Sequence, residues 1–504
     1  MQRTFWLPTM LATALAAVAA PEVPTTRPMS LQDCIQMALQ NNLDLAIERY
    51  NPQLSLYGLQ GSYGGYDPSF NLGAQHDQSS SAESLFQGGM LIPGSDNTAS
   101  SFDTGLRGLT PWGMTYDLSG GGSDRFGKSF GVDTNGNIVT KPFESSTATT
   151  GLTITQPLLK NFWIDSTRLS IQVAKITLKK SELALKQQVM TTVATVEQAY
   201  FDLIYAREYV VVQEKAVELA TRLLNENRKR VEVGALAPLD EKQAESQAAS
   251  NEANLIAARN SLSIQENTVK QLMSDNFPQW ASITIIPSGT LEAQRRIFNL
   301  QDSWGKGLTQ RPDLLQAKLD LQKAGIQVKY TRNQLYPQLD AFVTYGWNGS
   351  GREYSDAFGD WGSGDRPYYS YGGKITFPLG NISARSNHRT SKAQESQAVL
   401  FVKRLEQNIM IEIDNAVKQS LASFEAVQAT RKASEYAAEA LAAGQKKLEN
   451  GKSTTFEVLQ LQRDLTAARG TEIQALAAYN KTLSKLRYYE GGTLEAAGVD
   501  LTLR

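Results

Sequence analysis

Between Thr167 and Val233 the chain has neither proline nor glycine. Within that stretch Val189, Val193, Val196, Tyr200, Leu203, Val210, Val217 and Leu224 recur at steps of 4, 3, 4, 3 and then seven. This is the 3.5-residue seam of a left-handed coiled coil. At a rise of 1.5 Å per residue, such a helix is roughly 100 Å long. It cannot fold back into a compact globule and predicts a long bundle. A partner helix carries Ala244, Ala248, Leu255, Ala258, Leu262, Val269 and Leu272 on one seam and ends before Pro278. Its alanines allow close approach.

The two helices meet at RKRVEVGALAPLDEKQAESQ (228–247). Gly234 just past one helix end and Pro238 at the start of the next mark a tight helix–turn–helix. A similar stretch, QKKLENGKSTTFEVLQLQRD, occupies 445–464, with Gly451 lying 451 − 234 = 217 positions on. It joins a second long helix, about 386–450, to a shorter one, 454–489. Other markers repeat in the same order. ITQPLLKN (154–161) matches ITFPLGN (375–381), with 378 − 157 = 221 between their prolines. YDPSF (66–70) matches LYPQL (335–339), with 337 − 68 = 269. Ordered markers at stable offsets predict an internally duplicated chain.

Between the proline markers the period changes from 3.5 to 2. In 339–347, Leu339, Ala341, Val343, Tyr345 and Trp347 alternate with more polar residues; in 369–377, Tyr369, Tyr371, Gly373, Ile375 and Phe377 do. Two strands of about nine residues suit a membrane-spanning barrel. Tyr345, Trp347, Tyr368, Tyr369 and Tyr371 gather at their shared end, as an interfacial aromatic girdle would. The Gly-, Asp- and Ser-rich segment between them predicts an exposed extracellular loop. The first half offers matching strands at 69–77 and 149–156, with a further alternating pair, 102–109 and 115–121, inside its longer loop. Whether that pair joins a barrel is open at this level. Four strands cannot close on themselves, because the smallest single-chain barrels use eight and open edges are not tolerated in lipid. Other copies must complete the ring, and three copies would give twelve strands.

Composition excludes more than it selects. The 504 residues carry a formal net charge of −1, against a nucleic-acid partner. One cysteine, Cys34, and two distant histidines, His76 and His388, leave little for metal, cofactor or acid–base chemistry. The expectation is no enzyme, no cofactor and no metal; Cys34 reads as a buried small apolar side chain. MQRTFWLPTMLATALAAVAA reads as a signal peptide cut after Ala19, with no cysteine for a lipid anchor.

The duplicated pattern resembles the TolC-like outer-membrane efflux proteins. The resemblance rests on SLQDCIQMALQNNLDL (30–45), on the strand-ending prolines of TQPLL and TFPLG, and on the turns GALAPLD and GKSTTFE. It implies an α+β membrane protein: a homotrimer with a twelve-strand outer-membrane β-barrel and a periplasmic tunnel of long antiparallel coiled-coil hairpins. The implied function is an exit duct for drugs, metals or secreted proteins, delivered by an inner-membrane pump and a periplasmic membrane-fusion adaptor. The implied periplasmic aperture is Asp240, Glu457 and Gln460, the last standing where the family has a second acid. The implied adaptor-contact tips are Gly234, Pro238, Leu239, Gly451, Phe456, Val458 and Leu459, of which Phe456, Val458 and Leu459 read equally as ordinary bundle core. The expected organisation is a leader (1–19), N-terminal helices (20–66), outer-membrane strands and loops (67–157), a helical hairpin (158–277), an equatorial connector (278–308), a helix (309–336), a strand hairpin (337–379), a second helical hairpin (380–490) and a tail (491–504). The competing reading is a structural periplasmic coiled-coil or adaptor protein, which would not need aromatic-rimmed alternating strands.

Overall fold

The computed structural model describes residues 26–86, 90–132, 134 and 138–498. The expected leader lies outside them, as do 20–25 of the segment after it and 499–504 of the expected tail. The strands used below are β1 (Thr26–Met29), β2 (Ser69–Ser80), β3 (Asp96–Leu109), β4 (Thr115–Val132), β5 (Ile138–Pro157), β6 (Thr284–Pro287), β7 (Gln338–Gly351) and β8 (Pro367–Thr376). The helices are α1 (Leu31–Asn41), α2 (Ser166–Glu232), α3 (Pro238–Met273), α4 (Leu300–Gln310), α5 (Pro312–Asn333), α6 (Tyr354–Ser363), α7 (Ile382–Glu449) and α8 (Thr455–Glu490). The chain divides into two compact units.

One unit comprises Tyr50–Ala184 and Asp313–Glu406. Its centre is a six-stranded sheet in the order β8-β7-β5-β4-β3-β2, with every neighbour antiparallel. The pair left open by the sequence therefore lies in the sheet, between β2 and β5. This corrects the count of four strands per chain, and twelve-strand closure by three copies no longer follows from it. The sequence shows alternation over only 102–109 and 115–121 of these longer strands. Gly120, Gly121 and Gly122 interrupt the alternation of β4.

Residues directly opposite in an antiparallel register share a face. Phe70, Leu106, Leu118, Leu152, Tyr345 and Tyr369 form one such row, and the rows two residues away continue it with Leu72, Val343, Trp347 and Tyr371. These apolar side chains stand largely exposed, Tyr369 at 73% and Tyr371 at 77%. The opposite face is polar: Arg107 pairs with Asp117 at 2.9 Å and Thr153 bonds Thr344 at 3.0 Å. A sheet apolar on one open face and polar on the other matches a barrel wall between lipid and water. Tyr368 separates from the other four aromatics. It pairs with Gly346, on the polar face, and its ring lies over Gly151 and Gly346.

The expected loop between β7 and β8 is instead the helix α6, folded onto the far end of the apolar face. Trp361 Nε1 donates to Thr150 Oγ1 at 2.8 Å, Tyr354 donates to the Ser100 carbonyl at 2.7 Å, and Phe358 stacks on Phe102. Glycine makes room: a Cβ on Gly349 would collide with the backbone of Ala357 and Trp361. The aromatics at 354, 358 and 361 are spaced one helical turn apart, a signal that the Gly/Asp/Ser content of the segment hid.

An asparagine in the left-handed region precedes each long helix, Asn161 (φ 66°) five residues before α2 and Asn381 (φ 43°) directly before α7. Asparagine tolerates this conformation better than other residues bearing a Cβ. The Asn161 N–H donates to Asn333 Oδ1 at 2.7 Å, and Asn381 Nδ2 donates to the Leu335 carbonyl at 3.1 Å.

The other unit comprises the described residues up to Arg49, Leu185–Pro312 and the described residues from Gln407 on. β1 and β6 pair in parallel, and Cys34, Ile35, Tyr200, Leu203, Met273 and Ile285 pack around them. The Tyr200 hydroxyl donates to the Met29 carbonyl and accepts from the Gly289 N–H, both at 3.1 Å. Val189, Val193, Val196, Tyr200, Leu203 and Val210 are buried as the seam requires. Beyond Gln213 the buried positions become Ala216, Ala220, Leu223 and Asn227, one residue off the expected Val217 and Leu224. Leu223 packs there with Leu441 and Leu448 of α7 and Val458 of α8, so the buried face turns toward those helices. Among the described residues no helix is long and apolar enough to cross a membrane.

Gly349→Val should expel α6 from the sheet. Trypsin is expected to cut the purified, lipid-embedded variant at Arg352 or Arg366 while sparing the parent chain. Equal resistance of both would refute this packing.

Candidate functional site

The tips of the two helical hairpins are built alike. At each, a glycine in the left-handed region ends the long helix, Gly234 at φ 77° and Gly451 at φ 63°. The Gly234 N–H donates to the Val231 carbonyl and the Ala235 N–H to Arg230, at 2.9 and 2.7 Å. At the other tip Gly451 donates to Leu448 and Lys452 to Lys447, at 3.1 and 2.8 Å. The paired bonds are a Schellman closure, which uses up carbonyls the helix would leave unpaired. Nothing lies within 4 Å of a Cβ at either glycine, so backbone conformation alone selects the residue.

The helices beyond the two turns start differently. α3 begins at Pro238, which has no N–H to leave unsatisfied, and its Ala237 cap provides no side-chain bond. α8 is capped by Thr454, whose side chain accepts from the Glu457 N–H at 3.2 Å. Ser453 Oγ donates to Glu457 Oε2 at 2.6 Å. That bond first, then Thr454 and the charge of Lys447, hold the Glu457 carboxyl below its usual range. Being exposed, it is ionised at neutral pH.

The expected aperture residues are all at the tips. Asp240 is half-buried in the first turn of α3, and its carbonyl accepts from Asn227 Nδ2 at 3.4 Å. Gln460, in the position of the missing second acid, is exposed and donates to Asp464 Oδ1 at 2.9 Å. Glu457, Gln460 and Asp464 lie at i, i+3 and i+7, on one face of α8. A second exposed acid is thus present one turn further along. Sequence reasoning missed it by testing a single position, although the spacing was there to be read.

The expected adaptor contacts divide. Leu239 (67% exposed) and Phe456 (56%) stand at equivalent positions, 456 − 239 = 217, and Gly234, Pro238 and Gly451 are exposed with them. Val458 and Leu459 are each 1% exposed. They pack with Leu223, Leu441, Leu448 and Leu465, so they are tip core and not contact surface. At the other tip the same two positions are Glu241 and Lys242. Glu241 pairs with Arg228 at 3.1 Å.

Elsewhere, burial pushes the Cys34 thiol up to about 12, which leaves no thiolate for nucleophilic chemistry. Among the described residues no group of three or more His, Cys, Asp or Glu could hold a metal ion.

Comparison with known proteins agrees with this architecture. The family model described as Outer membrane efflux protein matches residues 126–274 and 305–492, more than half of the chain. The outer membrane efflux protein BepC of Brucella suis is 25% identical over 334 residues, spanning 66% of this chain and 69% of BepC. Among solved structures, the outer membrane protein VceC of Vibrio cholerae superposes with a TM-score of 0.66 at 18% identity, covering 92% of this chain and 96% of VceC. The CmeC outer membrane channel of Campylobacter jejuni gives 0.65 at 15% identity, covering 94% and 90%.

Gly451→Ala and Gly234→Ala should each cost roughly 1–2 kcal/mol, the penalty of a Cβ in the left-handed region. Hydrogen exchange should report this as faster exchange of the tip amides with no change in the sheet. Unchanged protection at both tips would count against the closures described.

Proposed function

The chain belongs to the outer membrane efflux protein family, and we propose that it is the outer-membrane exit duct of a tripartite export system. In this reading it is a homotrimer, and its two hairpins arose by internal duplication. The sheet forms part of a lipid-embedded barrel, the helices wall a periplasmic tunnel, and a periplasmic adaptor and an inner-membrane pump deliver the cargo. The observation that carries the proposal is one chain joining a sheet with an open apolar face to helices of 67 and 68 residues. A structural periplasmic coiled-coil protein would have no use for the sheet.

The tips are the periplasmic mouth in this reading. Glu457 and Asp464, threefold repeated, would line it with six carboxylates, and Asp240 would add three more. Fixed charge of one sign in a narrow passage concentrates counter-ions and selects by charge. Exposed Leu239 and Phe456 supply the apolar part of an adaptor contact. Membrane passage would be passive, with the choice of cargo made by the pump.

Three outcomes are expected. Purified protein in a planar bilayer conducts and prefers cations. The double variant Glu457→Gln, Asp464→Asn lowers the cation-to-anion permeability ratio severalfold, read from reversal potentials; an unchanged ratio would remove these residues from the mouth. Since the Glu457 carboxyl is held below its usual range, its contribution persists on acidification beyond the point at which an ordinary glutamate is neutralised. Loss of selectivity between pH 6 and 5 would contradict this.

A further inference from the structure

The sheet ends in two edges that nothing among the described residues covers. β2 presents twelve residues and β8 ten, and neither has a hydrogen-bonded neighbour on its outer side among the described residues. Soluble sheets guard such edges with charges, prolines or bulges. These edges are unguarded. Ser69–Ser80 has no proline and one formal charge, Asp77; Pro367–Thr376 has one charge, Lys374, and a proline only at its first residue. The pattern of faces also runs to the rim on both sides. Phe70, Leu72 and Ala74 continue the apolar face at one edge, and Tyr369, Tyr371 and Ile375 do so at the other. Both edges are built to be paired while embedded in lipid.

Direction decides what pairs with what. Six strands alternate, so β2 and β8 run in opposite senses. The β2 edge of one copy can therefore accept the β8 edge of the next as one more antiparallel neighbour, and the joint keeps apolar residues outside and polar residues inside. Such head-to-tail contact closes into a ring when the rotation allows. A six-stranded sheet cannot close alone, since eight strands is the lower limit for single-chain barrels.

We infer that β2 of each copy pairs with β8 of its neighbour, and that three copies close an eighteen-strand barrel in which β3 and β4 of every chain are wall strands. The number of copies rests on the trimer proposed above; the six strands per copy do not. With strands about 4.8 Å apart and tilted about 40°, eighteen give a backbone radius of about 18 Å, against about 12 Å for twelve. The exit would have roughly twice the cross-section of a twelve-strand barrel. The polar face is rich in Gly, Ser, Thr and Asn, so the wall itself leaves the lumen open.

Electron cryo-microscopy of the full chain in lipid nanodiscs tests this by counting strands. The expected result is a threefold ring of eighteen, with 96–109 and 115–132 inside the wall. A threefold ring of twelve, with those residues standing outside it, would overturn the inference and leave the exit-duct reading intact. A particle without threefold symmetry would overturn both the inference and the trimer beneath it.

Discussion

A backbone N–H or C=O in hydrocarbon must find a partner inside the protein, because lipid offers none. That requirement shapes the part of this chain proposed to meet the membrane. It explains why an apolar-faced sheet comes as an even number of alternating strands. It explains why the inserted strands arrive as a pair, since a single added strand would reverse one edge and spoil its match. It also explains why two long edges with so little charge can persist, when in a soluble protein they would invite aggregation.

The helical part answers a different demand. A helix of 67 residues leaves terminal groups unpaired only at its ends, so its length is tolerable if the ends are closed. Gly234 and Gly451 close them with the same pair of backbone bonds. Beyond these glycines the two tips differ. At one, Val458 and Leu459 fill a small core with Leu223 and Leu448; at the other, the corresponding positions carry the ion-paired Glu241 and the exposed charge of Lys242. One tip is thus anchored by packing, and the other is held by weaker surface contacts.

Much of this was legible in sequence because it rests on periodicity and backbone chemistry. The gap in proline and glycine marked α2, its repeat marked α7, and the glycine turns marked the tips. Alternation marked β7 and β8 together with the face that Tyr345, Trp347, Tyr369 and Tyr371 share. What escaped notice depends on three-dimensional neighbours. Glycines in β4 broke its alternation because they lie against other strands and α6, a reason absent from β4's own sequence. The helix α6 was hidden by its loop-like composition, although Tyr354, Phe358 and Trp361 carried its period. Tyr368 was grouped with its neighbours in sequence, whereas the pleat sends it to the polar face. Val458 and Leu459 read equally as contact or core from their own sequence, because burial depends on the adjoining helices.

In the proposed reading, the apolar-faced sheet can sit in lipid only if other copies of the chain pair its two edges. Amide hydrogen exchange on the assembled protein in lipid measures this directly. The amides of 69–80 and 367–376 should be protected to the same degree as those of the interior strand 138–157. Rapid exchange along either edge strand, with the interior strands protected, would contradict such pairing.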